Sequence, residues 1–248
     1  MNATGQGRGS KKWMIAAIAG LAVLAGVAWW LFTSLDWLVK RAIESRGPAI
    51  TGTSVSVASV RISAIDGRGT LAGLVIGNPP GFSSPHAFRA NVISVAVDPA
   101  TLTADVPVIR EIVIDAVDVT YENTGRGGNL ETLQRNIGNA AQRDAPAERS
   151  KGDVRKAPRR YVIDRILIRR ARVSVLSPLL RGGAATFVLP DIELRGLGSG
   201  GRGVTAAEAA NQVVSAMAAK IALNAALSSD VLKKGLEGAL DSLLNRRK

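Results

Sequence analysis

From Trp13 to Leu35 the chain carries no charged residue, a run of 23 positions between Lys12 and Asp36. As a helix rising ~1.5 Å per residue it would measure roughly 34 Å, against a bilayer hydrocarbon core of ~30 Å. Such a segment crosses a membrane, is cleaved as a signal peptide, or is buried whole in a soluble core. Gly26-Val27-Ala28 offers a small-residue cleavage site of the signal-peptide kind. The apolar run continues past it through Trp29-Trp30-Leu31-Phe32, which suits a retained anchor better. The expectation is a transmembrane anchor over 13–35, with Lys11, Lys12, Trp13, Trp29, Trp30 and Trp37 as interface anchors. Arg8, Lys11 and Lys12 precede the span with no acid among them, whereas Asp36 and Glu44 accompany Lys40, Arg41 and Arg46 after it. That asymmetry places an N-terminal tail, 1–12, inside and everything beyond about residue 40 outside, which in a bacterium is the periplasm.

The 248 residues include 32 Lys or Arg and 20 Asp or Glu, a net charge of +12. Such a balance first suggests nucleic acid. Its distribution argues otherwise, since 11 basic residues and four acids between Arg143 and Arg172 concentrate +7 of the +12 in thirty positions. Arg149, Lys151, Arg155, Lys156, Arg159, Arg160, Arg169 and Arg170 are candidates for contact with an anionic surface, where each contributes about 1 kcal/mol. A solvated loop accounts for the same residues. Tyr161 is the one aromatic among them, so base stacking is not provided for and no nucleic acid is expected. With no cysteine and one histidine, disulfides, thiolate or histidine-cluster metal sites and a cysteine nucleophile are excluded.

After the anchor, Leu35, Leu38, Val39, Ala42 and Ile43 recur at helical spacing, giving an amphipathic neck over 36–48 that Gly47-Pro48 is expected to stop. The period then changes to two. Val55, Val57, Val60 and Ile62 read as a strand with one slip, of the kind a bulge makes. Further strands are expected over 70–76, 91–97, 108–121 (with a break at Ala116-Val117), 162–175 and 185–194. The stretch 123–160 is poor in large apolar residues and reads as a flexible basic excursion, apart from Leu130, Leu133 and Ile137 on one face of a short helix. The end, 199–248, reads as helices. Thr205 with Glu208 forms a capping box before Val213, Val214, Met217 and Ile221, and a second stretch carries Leu232, Leu236, Leu240, Leu243 and Leu244 on one face.

One internal echo stands out. Val108-Ile109-Arg110-Glu111-Ile112-Val113-Ile114 matches Val162-Ile163-Asp164-Arg165-Ile166-Leu167-Ile168 at an offset of 54, and Asp118-Val119-Thr120-Tyr121 matches Arg172-Val173-Ser174-Val175. The shared spacing across Ala116 and Arg170 suggests a sheet assembled from similar units placed edge to edge.

Anchor and neck are followed by Ile50-Thr51-Gly52-Thr53-Ser54-Val55-Ser56-Val57, Gly73-Leu74-Val75-Ile76-Gly77-Asn78-Pro79-Pro80-Gly81-Phe82 and Val92-Ile93-Ser94-Val95-Ala96-Val97-Asp98-Pro99. Then come residues 109–122, Leu189-Pro190-Asp191-Ile192-Glu193-Leu194 and Gly203-Val204-Thr205-Ala206-Ala207-Glu208. Over most of 13–227 this order resembles AsmA-like bacterial envelope proteins, in the form of a small single-unit branch. The resemblance implies an inner-membrane anchor, a periplasmic domain over 49–198 with a curved, mostly antiparallel, groove-like β-sheet, and C-terminal helices: an α+β fold. It also implies work in lipid transfer or outer-membrane homeostasis, with phospholipid as the expected partner.

The lipid-contact candidates are the apolar strand positions Val55, Val57, Val60, Ile62, Leu74, Ile76, Val95, Val97, Ile112, Ile114, Ile166, Ile168, Val173 and Val175. Two readings of that face stay open: it contacts lipid, or it packs on the C-terminal helices as in any α+β domain. Seven or so strands at ~4.8 Å spacing reach about 34 Å, too short to bridge two membranes. Transfer would therefore need hand-over to an envelope protein partner, stacking of copies into a homo-oligomer, or action as a local carrier. A non-catalytic scaffold of an inner-membrane complex is the alternative. Gly196, Gly198 and Gly201 fit G-x-G-x-x-G, but no second strand with an acidic end follows, so they read as a loop. His86 between Pro85 and Ala87, and Asp98, Asp115 and Asp118 at strand ends or polar faces, read as solvated groups. No catalytic residues, metal ligands or cofactor are expected.

Overall fold

Where Val, Ile and Leu alternate with polar residues the chain forms strands: β1 (Val55–Ser63), β2 (Arg68–Ile76), β3 (Phe88–Val97), β4 (Val108–Glu122), β5 (Val162–Arg169), β6 (Arg172–Leu176), β7 (Ala184–Val188) and β8 (Ile192–Leu197). Helices are α1 over 35–51, α2 (Asn129–Asp144) and α3 (Ala206–Ser228). The computed structural model describes residues 35–124, 127–144, 158–176 and 184–228. The anchor expected over 13–35 lies outside them except for Leu35, as does the leucine-faced stretch after Ser228. Among the described residues no helix is long and apolar enough to cross a membrane.

The fold is α+β, a curved, open, mixed sheet in the order β1-β2-β3-β4-β5-β8, with β6 beside β4 and β7 beside β6. β1 to β4 form an antiparallel meander, while β4 pairs β5 and β6 in parallel. The echo of 54 is this pairing: Val108 lies opposite Val162, Ile112 opposite Ile166 and Val119 opposite Val173. A parallel pair needs a crossover of a dozen or more residues. That requirement is met through α2, the helix expected around Leu130, Leu133 and Ile137, which at 16 residues takes up more of the stretch 123–160 than a short helix would. Six ribbons at ~4.8 Å make the sheet roughly 29 Å across, a little narrower than the sequence suggested.

A seam crosses this sheet. The β1–β2 ladder steps from Val57↔Leu74 to Ser59↔Ala72 and leaves Ala58 facing Gly73. Gly73 faces Asn91, Asn91 faces Ala116, Ala116 lies level with Arg170, and Arg170 with Pro190. Gly73, Ala116 and Arg170 have φ of 63°, 51° and 52°. A left-handed residue rotates the strand so that side-chain alternation restarts on the other parity. Buried residues are accordingly three apart at the seam, at Val57 and Val60, Ala90 and Ile93, Ile114 and Val117, Ile168 and Ala171, and Leu189 and Ile192. The slip foreseen in β1 is therefore shared by its neighbours and inserts no extra residue. It also divides the single strand expected over 185–194 into β7 and β8. Next to the seam, the Arg170 guanidinium forks onto both carboxylate oxygens of Asp115.

α1 runs through Gly47-Pro48, where a stop was expected, and ends one turn later. Gly52, at φ 72°, donates to Pro48 O (2.9 Å), and the Thr51 hydroxyl donates to Gly47 O. A Cβ on Gly47 would lie 2.7 Å from Cβ of Val55, so the glycine serves helix-to-strand contact rather than termination. α1 covers the free edge of β1. Asp36 accepts from Ile62 N (2.8 Å), Glu44 accepts from Val57 N (3.0 Å), and Lys40 donates to Val57 O and Ala58 O. Spaced four apart, these three side chains satisfy edge groups that would otherwise template aggregation.

The outer face carries charge across the strands, with Arg165 pairing Glu111 and Glu193, and Arg195 pairing Glu193. The inner face is apolar and covered by α2 and α3, which meet through Gln134 and Ser215 (2.8 Å). Leu130, Leu133 and Ile137 are buried, as the sequence pattern suggested. The Thr205–Glu208 capping box is present, with Thr205 N donating to Glu208 (2.8 Å) and Glu208 N to Oγ1 of Thr205 (3.2 Å).

Candidate functional site

Between the inner face and the three helices lies a cavity of about 620 Å³. Its floor is sheet: Leu74 and Ile76 of β2, Phe88, Ile93 and Val95 of β3, Ile109, Ile112, Ile114 and Val119 of β4, and Ile163 and Ile166 of β5. α1 contributes Ile43 and Thr51, and α2 contributes Leu130, Leu133 and Ile137. From α3 come Ala206, Ala209, Ala210, Val213, Val214 and Met217, one stripe at steps of three and four. The first turns of that stripe are alanine, which puts little side chain into the space between helix and sheet. Polar atoms in the lining belong to Thr51, Thr205 and Tyr161. Thr51 donates to Gly47 O and Thr205 accepts from Glu208 N, so neither hydroxyl lacks a partner. The lining carries no carboxylate, ammonium or guanidinium, and its apolar character is of the kind that suits hydrocarbon.

Of the fourteen strand candidates, Leu74, Ile76, Val95, Ile112, Ile114 and Ile166 line this cavity. Val55, Val57 and Val60 are buried on β1 beside α1, and Ile168 and Val173 are buried in the core. Ile62, Val97 and Val175 are half-buried away from the cavity. Sequence reasoning missed Ile43, Phe88, Ile93, Ile109, Val119 and Ile163. Ile109 and Ile163 were aligned in the echo, but a register shift between Ala96 and Val97 beside β4 puts them out of phase with Ile112 and Ile166. The packing reading of the apolar face holds in part, since α3, together with α2, covers it and leaves space beneath.

Arg149, Lys151, Arg155 and Lys156 lie outside the described residues, as do Lys11, Lys12, Trp13, Trp29 and Trp30. The other basic candidates have partners within the fold. Arg159 donates to Leu102 O (2.8 Å), and Arg160 donates to Arg202 O (2.7 Å) and pairs with Glu208 (2.9 Å). Arg169 and Arg170 both approach Asp115. That fork and the Ala116 N–H hold the Asp115 carboxyl below its ordinary range, despite partial desolvation. Trp37 stands exposed on α1 with the Arg41 guanidinium 5.6 Å from its ring centre.

Where β4 ends and α2 begins, a polar cluster absent from the sequence reading ties the adjoining loop to the strand and the helix. Glu122 is buried and accepts from Ser83 N and Ser84 N (2.8 Å each) and from the Ser84 hydroxyl, which ties down loop 77–85. Burial pushes its carboxyl up, but these hydrogen bonds outweigh burial and hold it below the ordinary 4.5. Asn129 accepts from Glu122 N (2.9 Å) and donates to Thr120 O and to the Asn78 side chain (2.7 Å each). The only hint in sequence was an acid ending an apolar strand.

Gly196 near the end of β8, and Gly198 and Gly201 in the turn after it, adopt φ of 65°, 80° and 94°; β8 is antiparallel to β5 and so is no part of a dinucleotide-binding βαβ unit. His86 titrates below its ordinary range because burial and Arg89 disfavour its charged form. Asp98 caps the turn Pro99–Thr101 and binds Arg110 (2.9 Å). Among the described residues no three His, Asp or Glu side chains group to hold a metal ion. No family model, curated protein or solved structure matches this chain.

Proposed function

We propose that the chain is a membrane-anchored, non-enzymatic lipid-binding protein of the AsmA-like type, its folded part in the bacterial periplasm. Its cavity between sheet and α3 would hold acyl chain. The observation that carries this reading is the size and lining of the cavity. At the ~24 cal/mol per Å³ measured for cavities left by core truncation, a dry void of about 620 Å³ would cost on the order of 15 kcal/mol. A domain's whole stability is about 5–15 kcal/mol. The space is therefore open to solvent or filled, and each methylene moved there from water gains about 0.8 kcal/mol.

A photoreactive benzophenone residue replacing Ile112 in the full chain tests this in cells, with the same residue at outward-facing Arg195 as control. Irradiation is expected to attach phospholipid at 112 and not at 195, seen as a mass shift of the tryptic peptide. Absence of lipid at 112, or equal yield at both positions, sinks the reading. Ile112→Asp and Ile166→Asp should each abolish lipid capture by a probe at Ile93, whereas a purely structural scaffold predicts no such dependence. A topology reporter fused after Lys248 checks the periplasmic placement.

A further inference from the structure

The loops of the sheet fall into two groups, and one end differs from the other. At that end sit the β1–β2 turn 64–67, the segment 98–107 and the turn 198–203. Val97 N donates to Gly67 O (2.7 Å), and Tyr161 and Val204 exchange backbone hydrogen bonds (2.8 and 2.7 Å). α1 begins here too, since Asp36 in its first turn holds Ile62 N at the end of β1.

Six large apolar side chains stand exposed among the described residues, and four of them are on this rim: Ile65 at 84%, Trp37 at 61%, Leu38 at 56% and Leu102 at 43%. The other two, Val188 on β7 and Leu223 late in α3, lie elsewhere. A single exposed apolar residue is ordinary, but four gathered at one end from three separate segments are not. Ile65 occupies a hairpin turn, where any polar residue would meet the local geometry. Cations accompany them. Arg41 lies over Trp37, Arg159 is bound to the carbonyl of Leu102, and Arg68 and Arg202 are exposed on the same loops, as are the acids Asp66 and Asp105.

We infer that this rim is a bilayer-contacting surface, in which Ile65, Leu102, Trp37 and Leu38 enter the membrane interface while the arginines lie at the level of anionic head groups. An apolar tip ringed by Arg and carrying a Trp matches the layered chemistry of that interface. The covalent chain points the same way, because the uncharged run from Trp13 ends at Leu35, the first described residue of α1. One consequence concerns the cavity, which extends from Val95, Ile109 and Ile163 nearest this rim to Leu130, Leu133 and Ile137 under α2. Its end at Val95, Ile109 and Ile163 is thus the one directed at the membrane.

The inference does not depend on lipid in the cavity, and its test reads a different part of the molecule. The chain has no cysteine, so Ile65→Cys, Leu102→Cys and, at the opposite end, Pro85→Cys each accept one environment-sensitive fluorophore in the full chain. The labelled proteins are mixed with liposomes of phosphatidylethanolamine and phosphatidylglycerol, with and without nitroxide-bearing lipid. Emission at 65 and 102 is expected to shift to the blue and to be quenched by the nitroxide, and emission at 85 to do neither. Labels at 65 and 102 that stay in water with liposomes present overturn the inference. A blue shift without quenching that grows with protein concentration also overturns it, and assigns the rim to a second copy of the chain. Ile65→Asp, checked for intact circular dichroism, should reduce the quenching at a label on Leu102→Cys.

Discussion

Ala209 and Ala207 lie two residues apart on α3, are both buried, and answer differently to the same enlargement. Ala209 lines the cavity, whereas Ala207 is fully buried and does not. Replacing either by leucine adds three carbons. At Ala209 these carbons enter existing space, and at ~0.8 kcal/mol per buried methylene the gain is about 2.4 kcal/mol. At Ala207 they meet packed neighbours, and overpacking costs about 1–3 kcal/mol. For a chain of this size 1 kcal/mol corresponds to roughly 2–4 °C of melting temperature. Ala209→Leu should therefore melt some ~5–10 °C higher than the parent and Ala207→Leu lower, by near-UV circular dichroism of the full chain in detergent. Ala209→Leu should also lower the yield of lipid attached at Ile112. If both variants are destabilised alike, the interior is packed at Ala209 and the argument from cavity volume fails.

Glu122→Gln should cost about 2–3 kcal/mol, since charge-assisted hydrogen bonds from Ser83 and Ser84 become neutral ones, with exchange of loop 77–85 amides rising most. Because the Glu122 pKa is lowered from 4.5, its contribution is complete above that value and is lost as pH falls through the lowered folded pKa. The melting difference between parent and Glu122→Gln should shrink over that acid range and be flat at neutral pH. Ala116→Gly should be neutral or up to about 1 kcal/mol stabilising in thermal melts, against the usual ~0.5–1 kcal/mol loss in a strand, because φ of 51° already suits glycine. Gly73→Ala, whose Cβ would lie 2.9 Å from that of Ala58, should destabilise. Asp36→Ala with Glu44→Ala should uncover the β1 edge and raise light scattering on concentration.

Strand positions and helix caps were legible in sequence because they depend on near neighbours. The echo at 54 was visible as repeated apolar spacing, and it turned out to be a parallel pairing. Thr205 and Glu208 announced α3 because a capping box is complete within four residues. The end of α1 was misjudged, since Gly47-Pro48 looks like a stop until Val55 is known to pack against Gly47. The Asp36–Lys40–Glu44 spacing resembles an ordinary solvated helix face, and only the edge of β1 gives it a task. The apolar floor of the cavity was legible in part, through Leu74, Ile76, Val95, Ile112, Ile114 and Ile166, but the space above it was not. Alanines at 206, 209 and 210 were plain, but whether small residues bring a helix closer or leave space depends on how far the sheet holds it away.

The seam bears on how such a sheet can grow. Each ribbon carries its break level with the next, so it serves as an index mark that aligns every strand lengthwise. A length change within one ribbon throws its inward residues outward on one side of the mark unless a bulge absorbs it, as beside β4 between Ala96 and Val97. Ribbons can therefore be gained or lost whole, break included, but not trimmed singly without such a bulge. The copy at an offset of 54, with Arg170 level with Ala116, has the form such an addition must take.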